Sequence, residues 1–154
     1  MDLILWRHAE AEPGDPDDAR RLTAKGKKQA RRAAEWLHVS LPNSARILVS
    51  PAVRAQQTAA FLAELSHRKL KTVPALAPGA ASEEILQAVD WPNFAGAIVV
   101  VGHQPALGWV ASRLLAGKDL PWSIKKAGIW WLQARGEANS SEIVLRAVVN
   151  PDLL

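Results

Sequence analysis

Short apolar runs alternate with longer amphipathic ones along the chain. Residues 3–6, 47–50 and 97–101 are aliphatic and bounded by polar residues, Gly or Pro, the pattern of strands covered on both faces. Apolar residues recur at helical spacing over residues 23–37, about 53–65, 82–89 and 106–115. Thr23 stands where a cap is needed, and Ala30, Ala33, Ala34 and Leu37 form the stripe of the first helix. Gly26 costs that helix about 1 kcal/mol relative to Ala, so it is expected to permit close packing. Val53, Phe61, Leu62 and Leu65 supply the buried face of the second helix. Ser82 followed by Glu83 and Glu84 reads as a cap with negative charge, while Pro105 opens and Gly117 ends the fourth helix. Residues 128–134 and 143–149, joined by the turn-like segment 135–140, read as a hairpin.

This order predicts an α/β fold: a three-layer domain with a mostly parallel central sheet, helices on both faces and a C-terminal antiparallel hairpin. No repeat or linker divides residues 1–154, so one domain is expected. The absence of Cys excludes thiol nucleophiles, Cys-ligated metals and disulfides, and any covalent catalysis must use another side chain. The N-terminus lacks a basic leader, and no apolar run is longer than that of residues 97–101, which is far too short to span a bilayer. A cytoplasmic protein without membrane attachment is the expectation. The net charge of +4 favours anionic partners. The seven Trp are not interleaved with the basic residues, however, which argues against nucleic acid.

In an open α/β sheet the ligand crevice lies at the carboxyl ends of the strands. Three predicted strands run into Arg7-His8, into Ser50-Pro51 with Arg54 one helical turn later, and into Gly102-His103. Two guanidinium forks and two imidazoles at one sheet edge suit an anion of phosphoryl geometry.

The residues Leu3-Ile4-Leu5-Trp6-Arg7-His8-Ala9-Glu10, Leu22-Thr23-Ala24-Lys25-Gly26 with Gln29-Ala30, Ser50-Pro51-Ala52-Val53-Arg54-Ala55-Gln56-Gln57-Thr58 and Val101-Gly102-His103-Gln104-Pro105 occur in order at these strand ends. In these blocks the chain resembles the histidine phosphatase superfamily, the group of phosphoglycerate mutases and acid phosphatases, and most of all its short SixA-type phosphohistidine phosphatases. The resemblance implies that His8 is the nucleophile and that Arg7, Arg54 and His103 hold the phosphoryl oxygens. It implies no metal and no cofactor. Ala9 stands where the family usually has Gly. The Glu general acid common after the third strand is missing from Ala75-Leu76-Ala77-Pro78-Gly79, and Glu83 is the stand-in candidate.

The expected function is hydrolysis of a phosphoryl group through a phosphohistidine enzyme intermediate, with protein phosphohistidine as the favoured substrate. The alternative is a phosphomonoesterase for small phosphorylated metabolites. A mutase and a non-catalytic phosphate-binding module rank lower. Ser50 and Thr58 are expected to fix the turn and the helix packing, and Trp109, Trp130 and Trp131 to pack in the core or hairpin. His38 and His67 are read as surface residues, with Glu10 and Asp18 left open.

Overall fold

Strand β1 (Asp2–Arg7) serves two cores at once. Ile4 and Trp6 point into one, Leu3 and Leu5 into the other, and all four are fully buried. Its neighbour β4 (Ala97–Gly102) divides likewise, with Ala97, Val99 and Val101 on one side and Ile98 and Val100 on the other. A strand buried on both faces has no polar face to show, so alternation in space is written as a continuous apolar run. The computed structural model describes residues 1–136 and 142–154.

The remaining elements are α1 (Ala24–Ser40), β2 (Arg46–Val49), α2 (Val53–Ser66), β3 (Leu70–Thr72), α3 (Ser82–Ala88), α4 (Ala106–Ala116), β5 (Ile129–Arg135) and β6 (Glu142–Val149). They form one six-stranded sheet in the order β3-β2-β4-β1-β5-β6. The first four strands in that order are parallel, and β5 and β6 add an antiparallel hairpin. Helices α1 and α2 bury Ala33, Ala34, Leu37, Ala55, Ala59 and Leu62 on one face, while α3 and α4 bury Ile85, Leu107, Val110 and Ala111 on the other. The three-layer expectation holds, as do three of the strands and all four helices, to within a few residues.

Several details differ from the sequence reading, and one is Leu65, expected in the buried face of α2 but exposed at its last turn. β3 is a three-residue edge strand with two exposed residues, too short and polar to stand out. Ser82 is no cap: it is buried inside α3 and donates its hydroxyl proton to Asp119 Oδ2 at 2.7 Å. The helix start is served instead by Glu84, whose Oε1 accepts the Ala81 N–H at 3.0 Å. The hairpin begins at Ile129, and residues 137–140 of its expected turn lie outside the described residues.

Thr23 caps α1 as expected, accepting the Gly26 N–H at 2.9 Å. A Cβ on Gly26 would lie 2.0 Å from the Glu10 carbonyl oxygen, so only glycine lets α1 begin against the chain that follows β1. The same carbonyl accepts the Thr23 N–H at 3.0 Å, and the Thr23 hydroxyl donates to Glu10 Oε2 at 2.8 Å.

Candidate active site

The carboxyl ends of the three central parallel strands lie level. Arg7 of β1 is in register with Gly102 of β4, and Val49 of β2 with Val101. Backbone bonds run one residue further, from His8 N–H to Gly102 O and from Ser50 N–H to Val101 O, both at 3.0 Å. After β1 the chain crosses to α1 on one face, and after β4 to α4 on the other. The crevice between them is therefore a topological switch point, where open α/β sheets place their ligands.

His8 and His103 project into this crevice with ring centroids 5.0 Å apart. His8 Nδ1 lies 2.7 Å from the Ala9 carbonyl, which can only accept, so Nδ1 carries the proton. Arg54 Nε donates to His8 Nε2 at 3.3 Å, which requires a lone pair on that nitrogen. Both contacts fix the same tautomer and leave the lone pair on Nε2. Burial lowers the His8 pKa to about 4, the bond to Ala9 opposes the shift, and the Arg54 and Arg7 charges add to it. His103 is lowered to about 3, first by burial, then by His8 and Arg54. Both imidazoles are therefore neutral near pH 7.

His103 Nε2 meets the Ser50 hydroxyl at 2.8 Å, and that hydroxyl also accepts the Ala52 N–H at 3.2 Å. Arg7 donates Nη1 to the Ile124 carbonyl at 2.9 Å, while its Nε is buried without a protein partner. Burial lowers its pKa from the ordinary arginine value. Ala9 is fully buried and lies outside the positive-φ residues, so its backbone does not require glycine. Its N–H donates to Thr58 Oγ1 at 3.0 Å, and the same hydroxyl donates to the Arg54 carbonyl at 2.8 Å. Thr58 thus ties the segment after His8 to the helix carrying Arg54. Ser50 and Thr58 have the packing contacts expected of them.

The structure brings together His8, Arg54 and His103, with Arg7 adjoining them. Glu83 stands apart in the bonding pattern: it is exposed in the first turn of α3, and among the described residues it makes no hydrogen bond or ion pair with these four. Sequence reasoning missed Asp17. Its carbonyl accepts Arg54 Nη1 at 2.8 Å and its carboxylate Oδ2 accepts Nη2 at 2.9 Å. Arg20 and Arg54 hold that carboxyl below its ordinary pKa. The irregular stretch 12–18 was the available signal. The segment before β5 was missed as well. There the Ala127 carbonyl accepts Trp6 Nε1 at 3.1 Å, and the Ala127 N–H donates to the His8 carbonyl at 3.1 Å. Among the described residues no group of three or more His, Asp or Glu is arranged to hold a metal ion, and no helix is long and apolar enough to cross a membrane.

Paired imidazoles and guanidinium donors at the switch point of a mostly parallel sheet are a phosphoryl-binding arrangement. Residues 3–78 match the model of the histidine phosphatase superfamily, branch 1, and the chain belongs to that superfamily: it is a phosphatase with a histidine nucleophile. It is 34% identical to the phosphohistidine phosphatase SixA homolog of Haemophilus influenzae over 94% of each chain. It is 30% identical to the phosphohistidine phosphatase SixA of Escherichia coli over 79% of this chain and 78% of that one. The structure of the protein histidine phosphatase SixA complexed with tungstate superposes with a TM-score of 0.81 at 24% identity, covering 99% of both chains, which shows the shared fold.

Proposed function

We propose that this protein hydrolyses protein phosphohistidine in the cytoplasm, without a metal, by two displacements at His8. The observation that carries the reading is the fixed tautomer of His8, with Nδ1–H held by Ala9 O and Nε2 facing the Arg54 guanidinium. The similarity to phosphohistidine phosphatases along most of the chain supports the substrate class.

In the first displacement His8 Nε2 attacks phosphorus, the P–N bond of the substrate breaks, and the departing imidazole nitrogen takes up a proton. Arg7, Arg54 and His103 hold the phosphoryl oxygens as charge shifts between attacking and leaving atoms. In the second, water attacks phospho-His8 and releases inorganic phosphate and free imidazole, its surplus proton passing to solvent. Two such steps are each easier than direct hydrolysis.

The leaving group explains how this proceeds without an acid near Pro78. Imidazole has a conjugate-acid pKa of about 6.5 and departs with little help near neutral pH, whereas an alkoxide needs a proton donor worth about 10²–10⁴-fold. Glu83 is our candidate for that donor. Its replacement in Glu83→Gln should slow alkyl phosphates and spare phosphohistidine.

A rapid quench with radiolabelled phosphohistidine protein tests the mechanism. Label should appear on His8, His8→Ala should abolish turnover, and Arg54→Ala should cost about 10²–10³ in rate. Label on another residue, activity lost in chelator, or efficient hydrolysis of a sugar phosphate with none of phosphohistidine would refute the reading.

A further inference from the structure

A groove of about 520 Å³ opens beside Arg7, between the first three turns of α1 and the loop before β5. Arg7, Lys25, Lys28, Arg32, Lys125 and Lys126 line it, against one carboxylate, Asp152. Six positive charges and one negative give the lining a net +5, more than the +4 of the whole chain, so the rest of the molecule is slightly acidic. Positive charge is thus gathered on one face, next to the crevice.

Folding does not ask for this placement. The first turn of α1 contains no acidic residue, although a helix N-terminus favours anions. Lys25, Lys28 and Arg32 follow at spacings of three and four, which puts like charges along one ridge. Lys125 lies 3.9 Å from Asp152 and Lys126 3.7 Å from Glu10, but among the described residues Lys25, Lys28 and Arg32 have no ion-pair partner.

We propose that this groove docks the acidic surface of the phosphoprotein whose phosphohistidine enters the crevice, a proposal that rests on the function read above. The character of the cations selects a protein over a small polyanion. Apart from Arg7 they are exposed, on flexible stems and unsupported by buried hydrogen bonds. A pocket for a small ligand fixes it with preorganised, desolvated donors. Mobile lysines at a rim instead steer a large charged partner and set its approach. Because Arg7 belongs to both regions, a partner held along α1 is held with its phosphoryl group at the crevice mouth.

The test compares two substrates: an acidic histidine-phosphotransfer domain phosphorylated with phosphoramidate, and p-nitrophenyl phosphate. In the triple variant Lys25→Glu, Lys28→Glu, Arg32→Glu, kcat/KM for the phosphoprotein should fall about tenfold or more, chiefly through KM, while p-nitrophenyl phosphate turnover changes little. Lys125→Glu, on a different element, should lower it in the same sense. Added salt should slow the phosphoprotein reaction of the wild type and leave that of the variant nearly flat. Lys27→Glu is the control, since Lys27 faces the depression beside Phe61 between α1 and α2 and should have little effect. Wild-type phosphoprotein kinetics in the folded triple variant, or an equal loss from Lys27→Glu, would overturn the docking surface while leaving the substrate assignment intact. Tight binding of tripolyphosphate that the triple variant alone abolishes, with phosphoprotein kinetics unchanged, would make it a small-polyanion site and overturn the proposal. Hydrolysis of p-nitrophenyl phosphate with none of the phosphoprotein by the wild type would instead defeat the reading of the function, and the docking surface with it.

Discussion

Arg54 spends its three kinds of donor on two residues. Nε reaches His8, and both Nη groups reach Asp17, the very fork a phosphoryl group would engage. Under the proposed function, Asp17 competes with substrate for Arg54. Its side chain is 53% exposed and that of Arg54 6%, so the carboxylate remains largely solvated and the pair is worth on the order of 0.2–1 kcal/mol. Removing the carboxylate in Asp17→Ala should lower KM for a small aryl phosphate by about 1.4- to fivefold, as that energy implies. Steady-state kinetics would show it, and a raised KM would mean that Asp17 instead holds Arg54 in its productive pose. The convergence of Arg7, His8, Arg54 and His103 was legible because each ends or follows a strand or opens a helix whose place the apolar pattern fixes. Asp17 and Ala127 lie in irregular backbone, where no period says which way a side chain or carbonyl will face.

At the level of elements, α1 does more than cover the sheet. Its start is locked to the segment after His8 through Thr23, Glu10 and the bare Cα of Gly26. Helix propensity and packing make opposite predictions here. Ala is favoured over Gly by about 1 kcal/mol in a helix interior, so propensity alone says that Gly26→Ala stabilises. The Cβ would meet backbone at 2.0 Å, and neither α1 nor the Glu10 segment can yield without disturbing Ala9 and His8. We expect a loss of roughly 1–3 kcal/mol, the usual cost of overpacking, seen as a lower urea midpoint together with reduced kcat. A raised midpoint with unchanged kcat would contradict this. The glycine was visible in the sequence as an anomaly in a good helix, but its partner across the contact was not. The start of α3 carries the converse lesson: Ser82 has a capping residue's identity, yet burial claimed its hydroxyl for Asp119. Sequence patterns name the residues able to cap, and tertiary contacts decide among them.

For the molecule as a whole, two buried neutral imidazoles couple folding to acidity. The unfolded histidines titrate near 6.5, whereas His8 is lowered to about 4 and His103 to about 3 in the fold. Above about pH 6.5 neither state binds the extra protons, so the native state keeps its full margin. Below that, the unfolded chain takes up protons that the native one refuses, and stability falls through the window down to about 4 for His8 and about 3 for His103. Asp17, lowered by Arg20 and Arg54, acts in the same direction at the acid end. Urea unfolding should therefore give a smaller free energy at pH 5 than at pH 7, and replacing His103 with Gln should flatten the dependence. A profile already flat over that range would contradict the assignment of neutral imidazoles. The layer order and the parallel core were legible from the sequence because each central strand is apolar throughout. Strand order was not, since nothing in a run of Val and Ile names its neighbour. That order bears on synthesis. In β1, Trp6 pairs with Val101 on one side and Ile129 on the other, so both neighbours of the strand leading to His8 are translated long after it. A nascent chain thus brings out His8 early and the two strands that flank β1 late, so the crevice takes shape only near the end of translation.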